Sequence, residues 1–326
     1  MAAGVVAGGV GAAPNSTEFV KARDYCYQQA YDEAAALVEE LVRDDASGPA
    51  GLFWQAALTQ MLLYDSGNPV LIDSFYRLSD RAVARCRAAL RQNPNDAWAL
   101  FYLGMTQLNR ANCLGWQRRR LSAFRTLVTI PASLQKAVRI DTTLEDAWFG
   151  LGVIEYFKAV ADRYCFGLGL IGSRARAYKL VRRAVANGGL LQPAAEFLLG
   201  FMAKEDGNYE AATACCQRLL ERYPGNRAAR RMLRDIYIDM GEYEKALAVA
   251  AELERDIQRA FPENRYGLAE NWIKMASAWA QLGDSARTCC LADRVIAWEP
   301  FQDQVPWLDG YVRDAKRLKR RWYHRR

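Results

Sequence analysis

Gly207-Asn-Tyr209-Glu-Ala-Ala212 is followed by Gly241-Glu-Tyr243-Glu-Lys-Ala246, with Gly, Tyr, Glu and the final Ala each displaced by 34 positions. A fixed displacement of this size marks a chain built from stacked copies of one small unit. Leu199-Gly200 stands upstream of the first copy, Pro224 stands downstream, and Tyr237 precedes Gly241 by four residues. Apolar residues recur at helical spacing from about Glu18 to Glu299, while strand-like alternation is scarce. The unit is therefore a pair of helices. Small residues let the two approach, large ones such as Tyr237 fill the space between them, and Pro ends the second.

These residues resemble the tetratricopeptide repeat, in which a W-x2-L-G-x2-Y segment leads to Gly-x-Tyr at the turn and then to Ala and Pro. Residues 193–226 and 227–260 fit at full length, and a third copy carries Trp272, Met275, Ala276, Trp279, Gly283 and Pro300. Gly241 and Gly283 are 42 positions apart, which predicts eight extra residues near Phe261-Pro262-Glu263-Asn264. Weaker copies come earlier. They include Tyr31 to Ala34, Ala89 with Pro94, Asp96-Ala97-Trp98 leading to Leu103-Gly104, and Asp146-Ala147-Trp148 leading to Leu151-Gly152. The resemblance implies an all-α, right-handed superhelix (solenoid) of about six such hairpins. Residues 1–16 are expected to form a flexible leader or the remnant of a signal peptide, 17–190 degenerate hairpins, 191–304 regular repeats, and 305–326 a C-terminal cap and basic tail. Interruptions fall at Asn112–Pro131 and Arg163–Arg174. Their layout is similar to bacterial tetratricopeptide proteins with a Gly-rich segment before a helix ending Ala-x-x-x-Gly, here Ala184 to Gly188. It is more loosely similar to the periplasmic T component of TRAP uptake transporters.

Charge is unevenly placed. The chain has 326 residues, with 44 basic and 37 acidic side chains. Eight of the basic groups and only one acid fall in Arg313–Arg326, so residues 1–312 are neutral in sum. The pI near 9.0 thus belongs to a separable tail, which argues against a basic nucleic-acid-binding body. With Trp322 and Tyr323 among its basic groups, that tail suits an anionic surface. Within the neutral part, no acid lies between Asp96 and Asp141, a stretch with seven basic residues, nor between Asp162 and Glu196, which holds six.

Catalytic constellations are scarce. The single histidine, His324, lies in the tail, which removes His-based triads and His-ligated metals from the body. The eight cysteines form no C-x-x-C pair and read as small apolar helix residues rather than redox groups. Gly167-x-Gly169-x-x-Gly172 spells G-x-G-x-x-G, but it lacks the strand that a dinucleotide site needs and reads as a connecting loop. Glu39–Glu40 and Asp44–Asp45 read as a solvated helix end. The expectation is no enzyme, no cofactor and no metal.

In a repeat of this kind the inner surface is lined by the first helix of each pair. The positions this implies are Trp98, Phe101, Met105, Phe149, Tyr156, Phe157, Phe197 and Phe201, followed by Arg231, Asp235 and Asp239. They predict a concave face that takes a protein or peptide, with aromatic anchors and charge-set selectivity. The alternative is a periplasmic ligand-binding or transporter-accessory protein with an apolar groove around Phe101, Tyr156 and Phe201. The leader, rich in Gly, Ala and Val, favours export, the cytoplasm being the alternative.

Overall fold

A computed structural model describes residues 17–43, 48–164, 172–305 and 307–323. These residues are all-α, and their helices follow one another two by two along the sequence. The pairs are α1 (Thr17–Gln28) with α2 (Tyr31–Arg43), α3 (Pro49–Ser66) with α4 (Leu71–Gln92), α5 (Ala97–Trp116) with α7 (Pro131–Ile140), and α8 (Glu145–Tyr164) with α9 (Arg174–Asn187). They continue with α10 (Gln192–Glu205) and α11 (Tyr209–Arg222), α12 (Arg227–Asp239) and α13 (Tyr243–Ala260), and α14 (Arg265–Gln281) and α15 (Ser285–Ile296). Helix α6 (Arg120–Thr129) is inserted within the third pair, and α16 (Leu308–Tyr323) follows the last. Direct packing joins α5 to α7, α8 to α9, α10 to α11, α12 to α13 and α14 to α15. The leader, Asp44–Asp45, Cys165, Gly167 and Gly169 lie outside the described residues.

The described residues group into two compact units. One takes in residues up to 26, 30–59 and 73–192, the other 27–29, 60–72 and the chain from 193 on. In the first unit the Leu-Gly dipeptides are close-approach points. A Cβ on Gly104 would lie 2.7 Å from the Leu134 side chain of α7, and one on Gly152 would lie 2.8 Å from Val181 of α9. The two Asp-Ala-Trp segments look alike in sequence but differ in use. Asp96 caps α5, accepting from Ala99 N–H at 2.9 Å. Asp146 instead accepts from Leu190 and Leu191 N–H, at 3.0 and 2.9 Å, and so pins the turn that ends the unit. Its burial raises its carboxyl pKa, and those two backbone bonds oppose the rise.

The second unit repeats the device at Gly200, where a Cβ would lie 2.9 Å from that of Cys215 on α11. Gly207, Gly241 and Gly283 all have left-handed φ, between +75° and +82°, which explains why this turn position repeats as Gly. The eight extra residues are not a loop insertion. The turns at 223–226 and 261–264 have equal length, whereas α13 is four residues longer than α11, and α14 four longer than α12. Each helix of that step has gained about one turn, and this keeps the apolar face in phase.

Burial silences most of the cysteines. It pushes the thiols of Cys26, Cys86 and Cys216 up to about 12 and that of Cys215 to about 11, while Cys290 is exposed. The basic tail needs a correction, since it is no detachable appendage through Tyr323. Helix α16 buries Leu308, Val312 and Ala315 in the core shared with α14 and α15, with Leu318 packed beside them. Lys316 reaches Glu299, and Lys319 reaches Asp293 at 2.6 Å. Apolar residues at i, i+4, i+7 and i+10 make it a capping helix whose outer side carries the charge. A chain ending at Val312 is therefore expected to lose about 2–4 kcal/mol of stability by urea unfolding. An unchanged midpoint would restore the separable tail.

Candidate interaction surface

In the second unit, the first helix of each pair is α10, α12 or α14. Helix α12 holds Arg227, Arg231 and Arg234 at i, i+4 and i+7, a spacing that puts three guanidinium groups on neighbouring turns of one side. Charge there must be matched by acids from elsewhere. Asp65, near the end of α3, supplies one and is 3% exposed. Its carboxylate oxygens lie 3.1 and 3.0 Å from Arg227 Nε, the second also meets Arg227 Nη2, and Arg231 Nη1 stands 3.3 Å from the first. A carboxylate at a helix C-terminus faces unfavourable carbonyl dipoles, so the arginines set its stability. Asn264 adds a bond to the Asp65 carbonyl at 2.8 Å while its own oxygen caps α14 through Gly267 N–H. Asn226 does the same one repeat earlier, bonding Tyr27 O at 3.0 Å and capping α12 through Ala229 N–H. Each Asn thus ties a helix start to the end of an early helix.

Arg234 is fully buried. It bonds Glu270, Asn271 Oδ1 at 2.8 Å and Asp235 Oδ1 at 2.9 Å, and Asn271 in turn donates to Ala250 O at 2.9 Å. Burial works against the charge on Arg231 and Arg234, but the nearby carboxylates outweigh it and raise both pKa values above the ordinary arginine value. Both groups therefore stay charged at every accessible pH.

Toward the solvent edge the pairing loosens. Lys204 of α10 meets Asp239 of α12 at 2.8 Å, and Asp235 of α12 meets Lys274 of α14 at 3.4 Å, with Asp239 38% and Lys274 40% exposed. Phe197 and Phe201 of α10 are half-buried against Met232, Leu233 and Ile236. Lys204 follows Phe201 by three residues, so the two are neighbours on the helix surface.

Residues 203–263 match the tetratricopeptide-repeat family. That segment carries tetratricopeptide repeats. Two solved structures share the fold at low sequence identity. The anaphase-promoting-complex assembly Cut9-Hcn1 aligns with 92% of this chain and 54% of its own, at 13% identity and a TM-score of 0.59. The type IV pilus biogenesis factor PilW aligns with 76% of this chain and 94% of its own, at 14% identity and a TM-score of 0.51. No curated protein sequence matches the chain.

The repeat positions singled out from sequence fall into three environments. In the first unit Phe101, Met105, Phe149 and Tyr156 are buried core residues, whereas Trp98 is half-buried and Phe157 is 41% exposed. Trp98 packs its ring edge-on to Phe101 at 5.7 Å, and Phe157 does so to Tyr156 at 5.6 Å. In the second unit Phe197, Phe201, Asp235 and Asp239 reach the surface, but Arg231 is committed to Asp65 and Glu270. The sequence reading missed Asp65, Arg227, Arg234 and Glu270. The i, i+4, i+7 arginines of α12 were the available signal, since that many guanidinium groups on one helix side require acids. Replacing Arg234 by Ala is expected to cost about 3–5 kcal/mol, because Glu270 is left without its closest partner. Asp239→Ala is expected to cost under about 1 kcal/mol. Urea unfolding distinguishes the two, and equal losses would contradict the division between framework and surface charges.

Proposed function

We propose that this protein is a non-catalytic scaffold that binds a protein or peptide across the first helices of its second unit. The observation that carries the reading is the placement of half-buried Phe197 and Phe201 beside solvent-edge ion pairs. Aromatic side chains already held on a core lose little entropy on binding and present large apolar area, the usual make-up of an interface anchor. The Lys204–Asp239 pair at the solvent edge can exchange partners at little cost, because such pairs contribute only about 0–1 kcal/mol. Arg231 serves the framework and not the partner. Among the described residues no cluster of His, Cys, Asp or Glu could hold a metal ion, and the scaffold reading requires none.

Peptides selected from a random library against the full chain test this reading. Phe201→Leu is expected to weaken the selected peptides about 10- to 30-fold by calorimetry while leaving the melting temperature within a few degrees. Exchanging the pair, with Lys204→Asp and Asp239→Lys together, should keep the fold and change which peptides bind. If both variants bind the same peptides with wild-type affinity, the surface lies elsewhere.

A further inference from the structure

Helix α6 is additional to the third pair, since α5 also packs on α7. It leans on α5 through its inner side, where Leu127 is buried and Ala123, Phe124 and Thr126 are half-buried. Leu121, Arg125 and Val128 follow at i, i+4 and i+7 on the opposite side. Leu121 is 65% exposed and Val128 40% exposed, among the most exposed large apolar side chains of the described residues. Arg118, Arg119 and Arg120 lead into the helix, and all three are exposed.

Residues 97–140, which include α6, contain seven basic side chains and no acid. Arg110 is engaged by Asp80, and Lys136 bonds the carbonyl of Pro94 at 2.7 Å. Arg119, Arg120, Arg125 and Arg139 have no ion pair among the described residues. Exposed Arg119, Arg120 and Arg125 thus share α6 and its N-cap with two exposed apolar side chains, Leu121 and Val128.

We propose that α6 docks on an anionic bilayer surface, with the arginines against lipid phosphates and with Leu121 and Val128 entering the acyl boundary. Charge complementarity selects an anionic partner, and the apolar pair selects a lipid one. A nucleic-acid backbone would satisfy the guanidinium groups yet leave Leu121 and Val128 in water, whereas a bilayer takes up both kinds of side chain. The helix is ten residues long, about 15 Å, half of what a bilayer core requires. It therefore lies in the interface plane and does not cross it.

Co-sedimentation of the full chain with phosphatidylcholine vesicles, with and without phosphatidylglycerol, tests the proposal. The wild-type chain is expected to bind the phosphatidylglycerol vesicles, to ignore the neutral ones, and to be released by salt. Each basic side chain at such a surface contributes about fivefold, so Arg119→Gln, Arg120→Gln and Arg125→Gln together should weaken binding about 100-fold. Leu121→Ser should weaken it about tenfold, with both variants retaining the wild-type melting curve because the altered side chains are exposed. Three results would overturn the proposal. The wild type could fail to bind anionic vesicles. The triple variant could bind as well as wild type, which would assign binding to another basic segment such as α16. Leu121→Ser could bind as wild type while an oligonucleotide displaces the vesicles, which would reduce the patch to a general polyanion site.

Discussion

The second unit depends on one desolvated carboxylate. Asp65 sits near the C-terminus of α3, where helix dipoles disfavour it, and is 3% exposed, so little water can compensate it. Arg227 meets it through Nε and Nη2, and Arg231 approaches from one turn further along α12. The cluster is specific rather than merely cohesive, because a guanidinium fork accepts only a narrow range of carboxylate placements. It fixes the end of an early helix against repeats whose sequence begins more than 160 positions later. Asn226 and Asn264 reinforce the same junctions with neutral bonds, each serving one helix cap and one distant carbonyl.

That arrangement divides labour on α12. Positions 227, 231 and 234 carry the framework, Asp235 joins buried Arg234 to Lys274, and Asp239 pairs with Lys204 at the solvent edge. The framework charges, Asp235 among them, are expensive to disturb, and the Asp239 pair is the easiest to exchange. The proposed scaffold role uses both, since helices that keep a fixed spacing can carry a surface that adapts to a partner. The proposed peptide face of the second unit and the cationic outer side of α6 in the first are both built from side chains that the pairing of helices does not consume.

Helix pairing was legible in sequence wherever it rests on local packing. Leu103-Gly104, Leu151-Gly152 and Leu199-Gly200 each place a glycine at a close helix approach, and the turn glycines each take the left-handed backbone that favours them. Local pattern misled where the same letters serve different geometry. Asp96 caps its own helix, but Asp146, in an identical tripeptide, reaches a turn more than forty residues away. The eight extra residues, expected near Phe261-Pro262-Glu263-Asn264, instead lengthen two helices by about a turn each. The aromatic track predicted for the inner surface proved largely core in the first unit, since helical spacing alone cannot tell which of two flanking neighbours a side chain faces. Asp65 carries no local mark at all, and only the arginines of α12 betrayed the need for it.

The central claim is that Asp65 and Arg227 are coupled strongly enough to fix that junction. A double-mutant cycle of Asp65→Ala and Arg227→Ala, read by urea unfolding of the full chain, measures the coupling directly. A coupling energy of about 2–3 kcal/mol is expected, with the double variant more stable than the sum of the single losses implies. A coupling near zero would contradict it and return the organisation of the second unit to apolar packing alone.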